Sequence, residues 1–424
     1  MKSWLRNAIL LLLTVCMLMS TLSLSGCTVP IKAQELSADY TRTATEEGQV
    51  TDTFKAAMAD FAMTLTNTTV VRDKAELDRA NHLVSPLSAM ICLSMMANGA
   101  KGETLAQMED VLGMPIGELN KALYAYTSNL YVGEDCKVSV ADSIWYREGD
   151  SFTVKEEFLQ ACADWYAAQQ YAAPFDEQTR QDINKWVETY TDGMIDSILD
   201  QPISPSTVMY VINALVFDAK WQKEYEKSDV KKREFTALDG TVSTVEMMHS
   251  DEGTYLTVPD GYGVARPYKG GAYSFVGLLP AEGVDIYDFA ASLDGEAWMA
   301  MWAGKTSEAV YTRIPEFTYD SFMDLTPVLQ DMGMTDLFNV GLADLSGIGS
   351  GADGNLFCSG VYQKTFIEVN RHGTKAAAVT WGNLECGNAA PVEPKYVYLD
   401  RPFVYAIVDN ATGLPLFIGV VTDL

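Results

Sequence analysis

The chain has 424 residues, of which 48% are hydrophobic and 11% aromatic, enough to bury a large core in one or two globular domains. Its 30 basic and 57 acidic residues give a formal net charge of −27 and a pI near 4.4. Such a surface repels phosphate and sulfate groups, so we exclude nucleic acids and heparin-like polysaccharides as partners.

The N-terminus has the pattern of an export signal. Lys2 and Arg6 precede the apolar run AILLLLTVCMLM, and small residues follow in LSGC, which ends at Cys27. This order predicts a signal peptide over residues 1–26 and an extracytoplasmic location for the remainder. An uncleaved membrane anchor over residues 8–24 is the alternative, and it also leaves the rest of the chain outside the membrane.

The LSGC ending resembles the bacterial lipobox, which implies that Cys27 is lipidated and becomes the first residue of the mature chain. Residues 27–50 are polar and aperiodic. We therefore predict a flexible tether there, between a lipid anchor and a folded domain.

Helical patterns dominate from residue 51 to about residue 192. Apolar residues recur at helical spacing from Phe54 onward. Ser85 and Pro86 have the residue types of an N-cap and a first helical position, and Gly99 those of a stop, so a buried helix is predicted between them. Three further helices are predicted over residues 103–112, 154–168 and 179–192.

Strand patterns dominate after Pro205. The segment STVMYVINALVFDAKW, residues 206–221, is too hydrophobic for a solvated strand, so it is placed in the middle of a sheet. Lys269-Gly270-Gly271 separates two hairpin strands, EAVYTRIPEFTY and VYQKTFIEVN are further strands, and PFVYAIVD and PLFIGVV form a last buried hairpin. Helices before strands, without βαβ alternation, predict one α+β domain over residues 51–424.

No catalytic or metal-binding pattern occurs in the sequence. The three histidines, His82, His249 and His372, do not form H-x-x-x-H or H-E-x-x-H, and no G-x-S-x-G elbow is present. The cysteines form no C-x-x-C pair. The glycine-rich segment GIGSGADG lacks the lysine of a phosphate loop. The sequence thus predicts no enzyme, no metal site and no cofactor.

Five segments, in order, resemble the serpins, a family of protease inhibitors. They are NHLVSPLSAM, MANGAKGETLAQM, VINALVFDAKW, FIEVNRHGTKAAAVT and DRPFVYAIVDNATGLPLFIGVV, and they cover about residues 50–424. The resemblance implies a serpin-type domain with three sheets, eight to nine helices and an exposed reactive-centre loop.

The resemblance also implies that a protease cuts this loop and that the freed segment enters the main sheet as an extra strand. A strand that slips into a packed sheet needs small side chains at every second position. Here the inward set is small and the bulky Lys375 and Trp381 face outward. The inward set is Thr374, Ala376, Ala378, Thr380 and Gly382, and the hinge implied by the family is Gly373, Thr374, Ala376, Ala377 and Ala378.

Further residues follow from the family pattern. Ser85, Ser88, Asn213 and Gln363 fall on the shutter, the polar cluster beneath the sheet centre, and most members have His where Gln363 stands. Glutamine can still donate and accept a hydrogen bond toward Asn213.

At the top of the sheet, the Glu and Lys of the family pattern are exchanged for Arg371 and Glu316. We predict a salt bridge between these two side chains that keeps the hinge closed. The alternative is that they are two unrelated surface charges.

Family spacing places the reactive bond at Gly387–Asn388, next to Cys386. The loop is about four residues longer than is common in the family, so any bond from Leu384 to Pro391 remains a candidate. Small residues surround it, and no Arg or Lys lies between Lys375 and Lys395. This composition disfavours a trypsin-like target and suits elastase-like or subtilisin-like serine proteases, or cysteine proteases that prefer small residues. Cys386 is either a redox-sensitive thiol or a spacer.

The sequence therefore predicts a monomeric, lipid-anchored cell-surface protein that traps target proteases in a covalent complex as a suicide substrate. A non-inhibitory serpin that uses the fold for binding is the main alternative, because Arg371-His372 is an irregular approach to the hinge. A lipid-anchored solute-binding protein or hydrolase would need a two-lobed pattern or a catalytic histidine, which the sequence lacks.

Overall fold

The structure is a computed structural model that describes residues 30–44, 48–76, 81–352, 354–374 and 394–424. Several predictions concern residues outside these ranges. They are the signal peptide, the lipidated Cys27, the hinge residues Ala376, Ala377 and Ala378, and the reactive-bond candidates Cys386, Gly387 and Asn388.

Within the described ranges there are nine α-helices and one short 3-10 helix, Asp336–Phe338. The α-helices are α1 (Asp52–Glu76), α2 (Pro86–Ala97), α3 (Gly102–Leu112), α4 (Ile116–Ser128), α5 (Glu156–Tyr166), α6 (Glu177–Tyr190), α7 (Ile286–Ala291), α8 (Gly295–Ala303) and α9 (Thr326–Asp331).

The same residues form strands that assemble into three sheets. In chain order the strands are β1 (Gln34–Glu35), β2 (His82–Val84), β3 (Cys136–Arg147), β4 (Phe152–Val154), β5 (Gln169–Ala173), β6 (Met209–Lys220), β7 (Val230–Thr236), β8 (Val242–Val258), β9 (Gly261–Pro267), β10 (Tyr273–Pro280), β11 (Thr306–Pro315), β12 (Phe317–Asp324), β13 (Gly349–Gly351), β14 (Tyr362–Asn370), β15 (Gly373–Thr374), β16 (Lys395–Tyr398), β17 (Phe403–Asp409) and β18 (Pro415–Val421).

The main sheet has seven strands in the order β1-β5-β3-β6-β15-β14-β12. Four of them, β3, β6, β12 and β14, have at least eight residues, β5 has five, and β1 and β15 have only two each. Strand β6 lies in the interior of this sheet, as its hydrophobic sequence predicts. The short β15 lies between β6 and β14 and pairs antiparallel with both.

The second sheet has nine strands in the order β16-β11-β8-β9-β10-β17-β18-β2, with β7 paired to β8. The predicted hairpins β9–β10 and β17–β18 are both present. Every residue of β10, β17 and β18 is buried, because sheet and helices cover both faces. The third sheet contains only β4 and β13, so part of the glycine-rich GIGSGADG segment is a strand. In the described residues, these sheets and helices confirm the α+β class and match the three sheets and eight to nine helices that the resemblance implies.

Helix α2 connects the two large sheets. Its N-cap is Ser85, whose side chain accepts a hydrogen bond from the Ser88 N–H, and Pro86 is its first residue, as predicted. The helix packs against β6 of the main sheet and β18 of the second sheet. Nearly all of its side chains are buried, which agrees with its almost uniformly apolar sequence.

Two predictions need correction. The segment EAVYTRIPEFTY is not one strand: the chain leaves the second sheet after Pro315 and enters the main sheet at Phe317. The flexible tether is also shorter than predicted, because β1 pairs with β5 and the Thr43 N–H donates to Asp164 at 2.6 Å. No helix in the described part of the chain is long and apolar enough to cross a membrane.

Candidate functional site

The top of the main sheet holds the first two hinge residues as strand β15. Gly373 pairs with Lys220 and Asn370, and Thr374 pairs with Ala219 and Val369. The φ angle of Gly373 is +157°, and a Cβ at this position would lie 2.2 Å from the carbonyl oxygen of Ala219. Only glycine fits this close approach between strands.

Thr374 faces inward, as the period-two pattern predicts. Its side chain is buried, and its hydroxyl lies 2.7 Å from the hydroxyl of Tyr268. Tyr268 is stacked on Trp221, with ring centroids 4.7 Å apart. The remaining residues of the inward set lie outside the described ranges.

Below β15 the main sheet is open between β6 and β14. A narrow cavity of about 80 Å³ lies between these strands and reaches Thr374 at its top. Its walls include residues 211–217 of β6 and residues 361–367 at β14, and its floor includes Ser85 and Ser88 at the start of α2. The opening is therefore aligned with the strand that β15 begins.

Three of the four predicted shutter residues share hydrogen bonds on the floor of this opening. The Gln363 side chain accepts from the Ser85 N–H and donates to the Ser85 carbonyl, both at 2.9 Å. The Ser85 hydroxyl donates to the Leu416 carbonyl at 2.9 Å and accepts from the Ser88 N–H at 3.4 Å. Gln363 thus ties β14 to the start of α2.

Asn213 does not bond with Gln363, contrary to the prediction, because β6 and β14 are not paired at this level. Its side-chain amide donates instead to Asp142 on β3 at 2.9 Å, and its own carbonyl oxygen is buried without a donor among the described residues. Burial raises the pKa of Asp142 to about 7, although the bond from Asn213 opposes this shift. A lone acid in the apolar alternation of β3 is the sequence signal that would have revealed Asp142.

The predicted Arg371–Glu316 salt bridge is replaced by a different contact. The Glu316 carboxylate accepts a hydrogen bond from the backbone N–H of Arg371 at 2.8 Å, whereas the Arg371 guanidinium donates to Nε2 of His372 at 3.0 Å. Because Nε2 accepts, the proton of a neutral His372 is on Nδ1, which lies 2.8 Å from the Glu224 carboxylate. Arg371, His372 and Glu224 therefore form a chain of polar contacts. The sequence analysis did not predict the parts played by His372 and Glu224.

The segment after β6 fixes the hinge from the other side. The N–H of Trp221 donates to the His372 carbonyl and the N–H of Tyr225 donates to the Arg371 carbonyl, both at 3.0 Å. The indole N–H of Trp221 donates to the Asn370 carbonyl at 2.8 Å. Every residue from Asn370 to His372 is therefore held by at least one bond to this segment.

These contacts surround the unpaired stretch between β6 and β14. A nucleophile paired with a base does not occur among the hinge and shutter contacts above. The described residues also contain no cluster of three or more His, Cys, Asp or Glu that could hold a metal ion.

The family model for serpins, serine protease inhibitors, matches residues 56–424. The chain therefore belongs to the serpin family, whose members are generally protease inhibitors rather than enzymes. Among the curated relatives is Iripin-8 of Ixodes ricinus, 29% identical over 364 residues, covering 82% of this chain and 89% of the relative. A serpin-like protein of Thermococcus kodakarensis is 31% identical over 351 residues, covering 80% of each chain.

Solved structures support the same assignment. The thermophilic serpin Tengpin in its native state has a TM-score of 0.86 and 40% sequence identity, covering 92% of this chain and 100% of the other. The same serpin in its latent state gives a TM-score of 0.79 with 39% identity, covering 89% and 100%. The fold of this chain is more similar to the native state.

Proposed function

We propose that this serpin is a suicide-substrate inhibitor that traps a protease by inserting its cut loop into the main sheet. The observation that carries the proposal is the open seam between β6 and β14, which β15 has already entered with Gly373 and Thr374. A strand that continues β15 has hydrogen-bonding edges on both sides.

The register of β15 supports this route. Continued along both neighbours, it brings Thr380 opposite Asn213 on β6 and opposite Gln363 on β14. Thr380 belongs to the small inward set, and its hydroxyl could donate to the buried Asn213 carbonyl oxygen that lacks a donor. The shutter would then be completed by the inserted strand itself.

The free energy available from insertion is large enough for the mechanism. Strand β6 has 12 residues and β15 pairs with two of them, which leaves ten. Ten further ladder hydrogen bonds at about 0.5–1.5 kcal/mol net give a driving force on the order of ten kcal/mol. The target protease supplies the nucleophile, forms an acyl bond to the loop, and is carried away with the loop before that bond is hydrolysed.

The expected targets are extracellular proteases that accept small residues. The reactive-bond candidates at Gly387–Asn388, or elsewhere from Leu384 to Pro391, suit elastase-like or subtilisin-like enzymes. The N-terminal pattern, with lipidation at Cys27, would hold the inhibitor on the cell surface.

The test is incubation with elastase followed by a denaturing gel. We expect a covalent complex for the parent protein. Thr380→Arg should be cleaved without forming a complex, because insertion would bury the new charge between Asn213 and Gln363. Trp381→Arg is the matched control, since its side chain would face outward, and it should retain the complex. Clean cleavage of the parent without a complex would instead support a non-inhibitory serpin.

A further inference from the structure

A second cavity lies beside the hinge, and the loop-insertion mechanism makes no use of it. The cavity volume is about 670 Å³. It is bounded by the segment Gln222–Tyr225, by the central part of β8, by the end of β9, and by residues of β11 and β16. This size is in the range of sites that hold small molecules.

The exposed wall of this cavity has a carboxylate and two tyrosines in one row. Asp251 on β8 is the cross-strand partner of Tyr311 on β11, which in turn is the partner of Tyr396 on β16. Neighbours in such a row have Cβ atoms about 5 Å apart and project from the same face. The rings of Tyr311 and Tyr396 stack with centroids 5.5 Å apart, and the side chains are 42% and 54% exposed.

The charges that line the cavity favour a positive ligand. Four lining residues are acidic, and two, Lys223 and Arg266, are basic. Arg266 is already bound to the Glu252 carboxylate in a buried ion pair. Burial, together with the nearby cations Arg313, Lys231 and Arg233, lowers the pKa of His249 despite the opposing charge of Asp229, which keeps this lining residue neutral at pH 7. The four acids are Glu224, Asp229, Asp251 and Glu252.

Tyrosine rings in this region already hold guanidinium groups. The Arg266 guanidinium lies 4.0 Å from the ring centroid of Tyr225, and the Arg313 guanidinium lies 3.8 Å from that of Tyr398. The exposed ring of Tyr311, stacked on Tyr396, offers the same attraction to a cation from solution, and Asp251 is its cross-strand neighbour.

We propose that this cavity is a binding site for a small organic cation, with an ammonium or guanidinium group held by Asp251 and by the ring face of Tyr311, which is supported by the stacked ring of Tyr396. The site is independent of loop insertion, so it can be tested on the uncut protein without a protease. The chemistry that recognises the ligand is ionic attraction combined with cation–π contact.

The experiment uses three probes of one shape: benzylammonium, benzyl alcohol and benzoate. Each is titrated into the purified protein by calorimetry at low ionic strength. We expect saturable binding of one benzylammonium per chain, at least about fivefold weaker binding of benzyl alcohol, and none of benzoate. Equal binding of the neutral or anionic probe would overturn the proposal.

Variants locate the site. Asp251→Asn and Tyr311→Ala should each weaken benzylammonium binding by at least about fivefold. The matched controls are Asp320→Asn and Phe322→Ala, an exposed acid and an exposed aromatic residue on β12 of the main sheet, and they should bind like the parent. If Asp251→Asn binds benzylammonium as tightly as the parent protein does, the cation does not occupy this cavity.

Discussion

Asp142 connects the opening in the main sheet to solution pH. Its carboxyl group is buried beneath the sheet, and burial raises its pKa from the ordinary value of 3.8 to about 7. The native state therefore binds more protons than the unfolded chain between about pH 4 and pH 7. The free energy of unfolding falls as pH rises through this window, and the full penalty applies above about pH 7.

We expect Asp142→Asn to remove this dependence. The new amide oxygen can still accept the bond from Asn213 at 2.9 Å, but it carries no charge to desolvate. At pH 8 the variant should be more stable than the parent by an amount on the order of a few kcal/mol, and at pH 4 the two should be nearly equal. Thermal melting of both proteins at a series of pH values measures the difference. Parallel curves for parent and variant would contradict this role for Asp142.

Glu316 stabilises the hinge through the main chain and not through a partner's charge. Its carboxylate accepts the Arg371 N–H at 2.8 Å. Glu316→Ala should therefore lower stability by about 1 kcal/mol. The charge-exchanged double variant, Arg371→Glu with Glu316→Arg, should not restore it, because arginine offers no acceptor to the backbone. Chemical denaturation of Arg371→Glu, of Glu316→Arg and of the double variant decides this, and full recovery in the double variant would argue for a side-chain salt bridge.

Strand β15 shows where local sequence patterns stop being informative. The alternation of small residues from Thr374 predicts which face of an inserted strand would point inward, and the burial of Thr374 agrees. A strand of two residues has no periodicity of its own, so its position between β6 and β14 comes from tertiary pairing. The same limit explains why one continuous strand was predicted across Glu316. Both β11 and β12 have strand-like sequences, and the sequence does not show that they belong to different sheets.

Gly373 is the residue on which β15 depends, since a Cβ there would meet the Ala219 carbonyl oxygen at 2.2 Å. Gly373→Ala should displace β15 from β6 and cost at least about 2 kcal/mol of stability. Gly117→Ala is the control, because no neighbouring atom lies within 4 Å of the added Cβ and the site is on helix α4. It should be neutral or slightly stabilising. Melting temperatures of the two variants give the comparison, and equal values would remove the steric argument.

The architecture of the described residues was predictable because long segments have strong patterns, and a resemblance in five ordered segments implied how they assemble. The contacts around the opening between β6 and β14 were harder to predict from the sequence. Asp142, Tyr268 and His372 are distant in sequence from their partners Asn213, Thr374 and Glu224. Only the contact between Arg371 and His372 in this group is local in sequence. Their pairing depends on strand register, which a single sequence does not specify beyond its alternation.

Insertion of the loop must change the stability of the entire molecule if the seam between β6 and β14 is its destination. Closing the seam would add ladder hydrogen bonds along both strands and cover the cavity that separates them. A gain on the order of ten kcal/mol, spread over the unfolding entropy of a domain of this size, raises the melting temperature by about 10 °C or more. Proteolysis within residues 384–391 should produce this rise.

The measurement compares the intact protein with protein cut by a catalytic amount of elastase, both followed by calorimetry. Thr380→Arg, cut at the same bond, is the informative control, because it has the nick but should not insert past the shutter, and its melting temperature should stay near that of the uncut form. A rise in the parent alone would attribute the stabilisation to the added strand and not to cleavage. Identical melting temperatures for cut and intact parent would mean that the seam is a static feature of the fold, and the inhibitory mechanism would lose its driving force.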